Sequence, residues 1–162
     1  MSNLEVVIRP IRLDDWEAVG EIRHQPRVME FTTAMPSERP GIAFIEALTP
    51  NDHVMVAQLD GRVVGLAGLH VGGAKRRHVA KVGIAVHDAF AGRGVGRALM
   101  QSLLNLADDW LGLVRLELDV DASNERAQKL YESLGFVVEG RQPKSYFTAG
   151  RYADAILMGR VR

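Results

Sequence analysis

Gly92, Gly94 and Gly96 alternate with Arg93, Val95 and Arg97 where a β-branched run, Val82-Gly83-Ile84-Ala85-Val86, gives way to an apolar-periodic segment. Glycines let successive backbone N–H groups converge on one point, the start of a helix adds partial positive charge, and Arg93 and Arg97 flank the turn. That is the chemistry of an anion site sized for a phosphate or pyrophosphate. The alternative is a plain glycine-rich turn without a ligand. Spacing excludes two familiar nucleotide motifs. A P-loop needs Lys-Ser/Thr after its last glycine, where this chain has Arg97-Ala98, and a dinucleotide fingerprint needs a glycine where Leu99 stands.

A second segment bears on the choice: Asn124-Glu125-Arg126-Ala127-Gln128-Lys129-Leu130-Tyr131-Glu132-Ser133-Leu134-Gly135-Phe136. With Arg93-Gly94-Val95-Gly96-Arg97-Ala98-Leu99 before it and a strand between, the chain resembles the GNAT superfamily of acyl-CoA-dependent N-acyltransferases. The glycine motif is one signature of that family; Asn124, Ala127, Leu130-Tyr131 and Gly135-Phe136 match the other. The resemblance runs from about Val79 to Phe136. The tail Tyr146–Asp154 and the His24-Gln25-Pro26 turn look like a bacterial subgroup that acetylates free amino acids and phosphinothricin-like small amines.

The resemblance implies a mixed, mostly antiparallel central sheet flanked by helices, in which two splayed strands hold acetyl-CoA. It gives Gly92, Arg93, Gly94, Val95, Gly96 and Arg97 to the CoA pyrophosphate. Ile84 and Val86 fall on the strand that pairs with the pantetheine arm, with a backbone N–H near Val86 facing the thioester oxygen. Asn124 becomes a polar contact to the pantetheine or acetyl end, and Tyr131 the acid for the leaving thiolate. The acceptor is a small-molecule amine, which attacks the thioester carbonyl directly. Many members are dimers, so a homodimer is implied, although no segment marks an interface.

The general base departs from the family pattern. Many members carry a glutamate on the central strand where this chain has Lys81, and the first position of the glycine motif is Ala91 rather than Gln or Arg. A lysine accepts a proton only if burial depresses its pKa strongly. Glu117 on the neighbouring strand is the first candidate, followed by His78, His87 and Asp119, or a water relay. The acceptor pocket is expected from Arg23, Met29, Phe31, Thr32, Thr33, Met35 and Tyr146, with Arg23 or Arg27 as a cation for a substrate carboxylate. Lys75-Arg76-Arg77-His78 is a compact basic run at a turn and a weak candidate for the CoA 3′-phosphate. Two other readings remain open: a protein N-terminal or ribosomal-protein acetyltransferase, and a non-catalytic acyl-CoA-binding module.

These residues need elements to hold them. Val6–Pro10 reads as a first strand, and Asp14 or Asp15 caps a helix carrying Trp16, Val19 and Ile22, which Pro26 weakens near its end. A second helix is expected over Arg39–Leu48. His53–Leu59 and Arg62–His70 form a hairpin about Asp60-Gly61, and Val79–Val86 is the next strand. Gly94–Trp110 has a helical stripe of Val95, Leu99, Leu103 and Leu106. A strand over Val114–Val120, a helix over Asn124–Leu134 ending at Gly135, a short strand at Phe136–Glu139 and a last one over Ala155–Val161 complete the order. This order predicts a largely antiparallel sheet with parallel pairing near its middle.

Composition sets the outer bounds. A length of 162 residues, 47% hydrophobic and 25% charged, fits one globular domain spanning 1–162. Twenty basic and twenty acidic residues cancel, which speaks against a nucleic-acid partner. No apolar run is long enough for a membrane span, and the N-terminus lacks signal-peptide features. With no cysteine there is neither a disulfide framework nor an acyl-cysteine route, and a cytoplasmic location fits. The histidines show no metal-ligand spacing, so no metal site is expected.

Overall fold

The computed structural model describes residues 5–162. Seven strands form one sheet: β1 (Val7–Pro10), β2 (Asp52–Leu59), β3 (Arg62–Val71), β4 (Val79–Val86), β5 (Arg115–Asp121), β6 (Val137–Thr148) and β7 (Arg151–Val161), in the spatial order β1-β2-β3-β4-β5-β7-β6. Every neighbouring pair is antiparallel except β4 and β5. The helices are α1 (Trp16–Arg23), α2 (Pro26–Phe31), α3 (Gly41–Glu46), α4 (Val95–Asn105) and α5 (Glu125–Ser133).

Strand alternation sorts the apolar side chains onto two faces. Ala57, Val64, Ala67 and Leu69 from β2 and β3, with Leu116 and Leu118 from β5, pack beneath Leu99 and Leu103 of α4 and reach Tyr131 and Phe136. Val54, Val56, Val63 and Leu66 face the other way and meet Val19 and Ile22 of α1. The same alternation puts Val82, Ile84 and Val86 on the α4 side and Ala85 on the α1 side. Lys81 and Gly83 share the Ala85 face, and Glu117, Asp119 and Asp121 lie opposite the buried Leu116, Leu118 and Val120.

Three expectations change. Pro26 does not weaken the end of the first helix; α1 ends at Arg23 and Pro26 starts α2, where a missing N–H costs nothing. Asp15 does stand at the N-cap position of α1, but its carboxylate makes no bond to that helix's own amides. Its carboxylate accepts from the Arg12 N–H at 2.7 Å and takes a bidentate pair from Arg9 at 2.9 and 2.7 Å, tying α1 to β1. The strand after Gly135 is not short: β6 continues to Thr148 and pairs with β7 from Arg151, so the Tyr146–Asp154 tail is a hairpin. Its turn, Ala149-Gly150, has φ of 48° and 79°, the doubly positive geometry also seen at Asp60-Gly61.

Candidate active site

β4 and β5 run together for only three register pairs, Val79 with Arg115, Ala80 with Leu116 and Lys81 with Glu117. Beyond that point the β5-facing edge of Val82–Val86 has no strand partner. The phase of the β3–β4 ladder decides what this edge offers. His87 N donates to Val64 O and Gly72 N to Val79 O, so the odd-numbered positions of β4 exchange main-chain bonds with β3. In an antiparallel ladder the alternate residues then point their N–H and C=O away from that partner. Val82, Ile84 and Val86 therefore aim their main-chain groups into the gap.

The gap leads to the glycine turn. Gly92 and Gly94 sit at φ of 78° and 81°, a region that disfavours side chains, and Gly94 is the N-cap of α4, with no side chain to bond the first amides. The main-chain N–H groups from Gly92 to Arg97 find no acceptor among the described residues. A Cβ on Gly92 would collide with the guanidinium of Arg126, which lies over the turn from the first turn of α5. Arg126 has no ion-pair or hydrogen-bond partner among the described residues, nor has Arg93, which rests on the Phe90 ring at 5.4 Å. Arg97 donates to Ser133 Oγ at 3.1 Å. Free amides and the Arg126 guanidinium thus meet at the turn, with Arg93 and Arg97 flanking it along the chain, a donor set that fits a pyrophosphate. Sequence reasoning missed Arg126; only contact across the fold brings it to Gly92.

On the α5 side, Asn124 is the N-cap: its Oδ1 accepts from the Ala127 N–H at 3.3 Å. Tyr131 is 7% exposed, with its ring edge-on to Phe136 at 6.0 Å. The hydroxyl donates to no protein group, yet it is not a sealed orphan; among the described residues only Arg9 Nε is that. It therefore reaches water. Burial pushes its pKa up to about 12, so the phenol keeps its proton at neutral pH.

Glu117 lies at the closed end of the strand pair. Arg115 Nε and Arg76 both donate to it at 2.8 Å, and Arg115 also pairs with Glu139. The Arg115 hydrogen bond, then that of Arg76, holds its carboxyl below the usual glutamate value. A carboxylate so held is a poor proton acceptor, and the structure does not bring it to Tyr131. His87 is also committed: Nδ1 accepts from the Ala89 N–H at 3.1 Å, which leaves the proton on Nε2, 3.1 Å from Glu21. His78 is exposed, beside the short helical turn Ala74–Arg76. That turn holds the basic run at the opposite end of β4 from the glycine turn, roughly 23 Å away at the rise of a strand. The run is therefore not part of the same anion site.

Asp119 lies at the mouth of the gap, 3.3 Å from Lys81 Nζ. Deeper, the Asp121 carboxylate is 1% exposed and accepts from Ser123 N–H, Ser123 Oγ and Arg151. Tyr146 stands beside it, its hydroxyl pushed up first by burial and then by the Asp121 charge. Arg151 also reaches Glu30 of α2, and Thr148 donates to the Glu30 carbonyl at 2.8 Å. This ties α2 to the hairpin; of that cluster, only Tyr146 was legible beforehand as a pocket residue. Arg23 is neutralised by Glu38 at 2.7 and 2.6 Å. An apolar depression lined by Met55, Ala98, Leu106 and the 82%-exposed Trp110 lies on the outer side of α4, away from the gap. No group of three or more metal-ligating side chains exists among the described residues.

The chain is similar to known acetyltransferases along nearly its whole length. It is 36% identical over 170 residues to the L-amino acid N-acetyltransferase AaaT of Escherichia coli, covering 98% of this chain and 99% of the relative. A crystal structure described as a putative phosphinothricin N-acetyltransferase superposes with a TM-score of 0.85 at 25% identity, over 97% of this chain and 98% of the other. The structure of yncA, a putative acetyltransferase from Salmonella typhimurium with its cofactor acetyl-CoA, gives 0.81 at 26% identity, over 96% and 93%. The model of the acetyltransferase (GNAT) family matches residues 16–136. With that match over most of its length, and with relatives of the same kind along the rest, the chain belongs to the GNAT family of acetyltransferases.

Proposed function

We propose that the protein is a single-domain enzyme, 1–162, that transfers an acetyl group from acetyl-CoA to the primary amine of a free amino acid or amino-acid-like compound. The observation that carries this reading is the open edge of β4, whose outward main-chain groups lead from the acceptor side of the sheet to the glycine turn. Similarity to an L-amino acid N-acetyltransferase over 98% of the chain supports the acceptor class.

Acetyl-CoA supplies an activated thioester carbonyl. The amides of Gly92–Arg97, with Arg93, Arg97 and Arg126, neutralise the pyrophosphate charge. Ile84 offers main-chain bonds to the pantetheine arm, Asn124 its free amide N–H groups, and the Val86 N–H a donor for the oxygen that gains charge as the amine attacks. The acceptor nitrogen forms the new C–N bond as the C–S bond breaks. A phenol near 12 is a weaker acid than a thiol at roughly 8.5, so complete transfer to sulfur is uphill. Tyr131 instead donates a hydrogen bond that stabilises the departing thiolate, and solvent completes the protonation.

The acceptor arrives as an ammonium and must lose a proton. Glu117 is occupied elsewhere; Asp119, half-exposed at the mouth of the gap, holds the ammonium and passes its proton to water. We place the enzyme in the cytoplasm on its cysteine-free sequence; among the described residues no helix is long and apolar enough to cross a membrane. The edge strand β6 exposes Val137, Val138 and Phe147, beside Tyr152 of β7, which favours a second copy of the chain as partner. The test is thiol release from acetyl-CoA with panels of amino acids, polyamines and peptides. Turnover with free amino acids supports the reading, and turnover confined to peptides or polyamines contradicts it.

A further inference from the structure

Lys81 is a problem for a binding site built around an ammonium. Its Nζ is a cation at the mouth of the gap, 3.3 Å from the carboxylate that should attract the acceptor's charge. A simple amine would have to approach beside it and meet like-charge repulsion. An α-amino acid carries both charges on neighbouring atoms and fits the pair as it stands.

We propose that Lys81 determines specificity by binding the α-carboxylate of the acceptor while Asp119 holds its ammonium. The ion pair is the protein's own stand-in for the zwitterion. Its geometry suits exchange with a ligand: it is a single contact at 3.3 Å between side chains 64% and 44% exposed. Pairs of this kind contribute little to the folded state, so opening one for a substrate is cheap. Gly83 follows Lys81 on the same face of β4, and a Cβ built there meets no atom within 4 Å. The sheet surface between Lys81 and Ala85 is therefore bare, and a ligand can lie flat against it.

The other cations near the site are less available. Arg151 is shared by Asp121 and Glu30, and Arg23 by Glu38. Arg27 stacks toward Phe31 at 6.0 Å, and its main-chain N–H donates to Asp88, which places it at the far end of β4. Lys81 is the cation whose partner is the same carboxylate that the acceptor's ammonium would use. The consequence is a requirement for the α-carboxylate: a decarboxylated amine or a polyamine lacks the group that satisfies Lys81 once Asp119 is taken.

The proposal rests on the amino-acid reading above, and one experiment separates the two. Steady-state kcat/KM is measured for L-methionine, its methyl ester and 3-(methylthio)propylamine with the wild-type enzyme, Lys81→Met, Lys81→Arg and Arg27→Met. The expected result is a wild-type preference for the free amino acid, and a ratio of amino acid to decarboxylated amine that falls about ten- to a hundredfold in Lys81→Met. Lys81→Arg restores most of the ratio, and the loss appears in KM more than in kcat. An unchanged ratio in Lys81→Met, or a collapse only in Arg27→Met, overturns the proposal and leaves the amino-acid reading standing. A wild-type enzyme that acetylates the amines but no amino acid overturns both.

Discussion

The two ends of the β4–β5 pair are built from the same strands and behave as opposites. At the closed end, Val79–Lys81 and Arg115–Glu117 are in register, and the charges above them close on one another through Arg76, Glu117, Arg115 and Glu139. At the open end, Val82, Ile84 and Val86 turn their main-chain groups into a space with no strand partner, and the amides of Gly92–Arg97 likewise lack acceptors among the described residues. Val82, Ile84 and Val86 are half-buried, so their outward main-chain groups meet water in the free protein and are open to pairing with an extended ligand, as at any strand edge. Charge alone does not mark a site. Glu117 has the chemistry of a base and a position that cancels it, whereas the Val86 amide has ordinary chemistry and a position that makes it useful.

The largest expected effect is at the open edge. Proline at Val86 deletes an N–H that the β3 ladder does not use, so the fold should survive while kcat falls about 10²–10³-fold. Stopped-assay turnover beside a thermal melt checks both halves; retained activity would break the contrast between the two ends. Tyr131→Phe should lower kcat roughly 10²-fold. Because burial pushes its pKa up to about 12, Tyr131 should add no limb to the wild-type pH–rate profile between pH 5 and 9. Arg126→Ala should raise the KM for acetyl-CoA about tenfold with little change in that for the amine, as measured by varying each substrate in turn.

The smallest effect is expected at the closed end. Glu117→Gln should leave kcat within about twofold and cost less than about 1 kcal/mol of stability. The folded carboxyl is held below its ordinary value, mainly by Arg115 and then by Arg76. Its contribution is therefore complete above the unfolded glutamate range and fades as pH falls through the lower folded value. Melts of the variant and the wild type should separate above about pH 5 and converge in stronger acid. A large loss of kcat here would restore Glu117 as the base and erase the difference between the ends.

What the sequence disclosed follows from what is local. The Asp60-Gly61 turn, the alternation of Val79–Val86, the stripe on α4 and the stop at Gly135 are each encoded within a few residues, and each lies where that encoding puts it. Pro26 misled because proline both ends and begins helices, and only the following turn of α2 decides which. The long β6 was hidden because its side chains are mostly exposed, so it lacks the apolar alternation by which strands are recognised. The site was legible in its glycines and Tyr131, whose spacing is local. It was not legible in Arg126 over Gly92, in Asp121 with Arg151, or in Arg76 on Glu117. Those contacts join segments far apart in the chain, and no short-range pattern records them.

On the proposed function, the open edge of β4 and the glycine turn are one continuous binding surface for acetyl-CoA. Titration of the isotopically labelled protein with acetyl-CoA, followed through its backbone amide resonances, tests it most directly. Large shifts are expected at Val82, Ile84, Val86 and across Gly92–Arg97, with Arg115 and Glu117 nearly unmoved. Shifts centred on the groove beside Trp110, or on the basic turn at Ala74–Arg76 with the β4 edge silent, would contradict it.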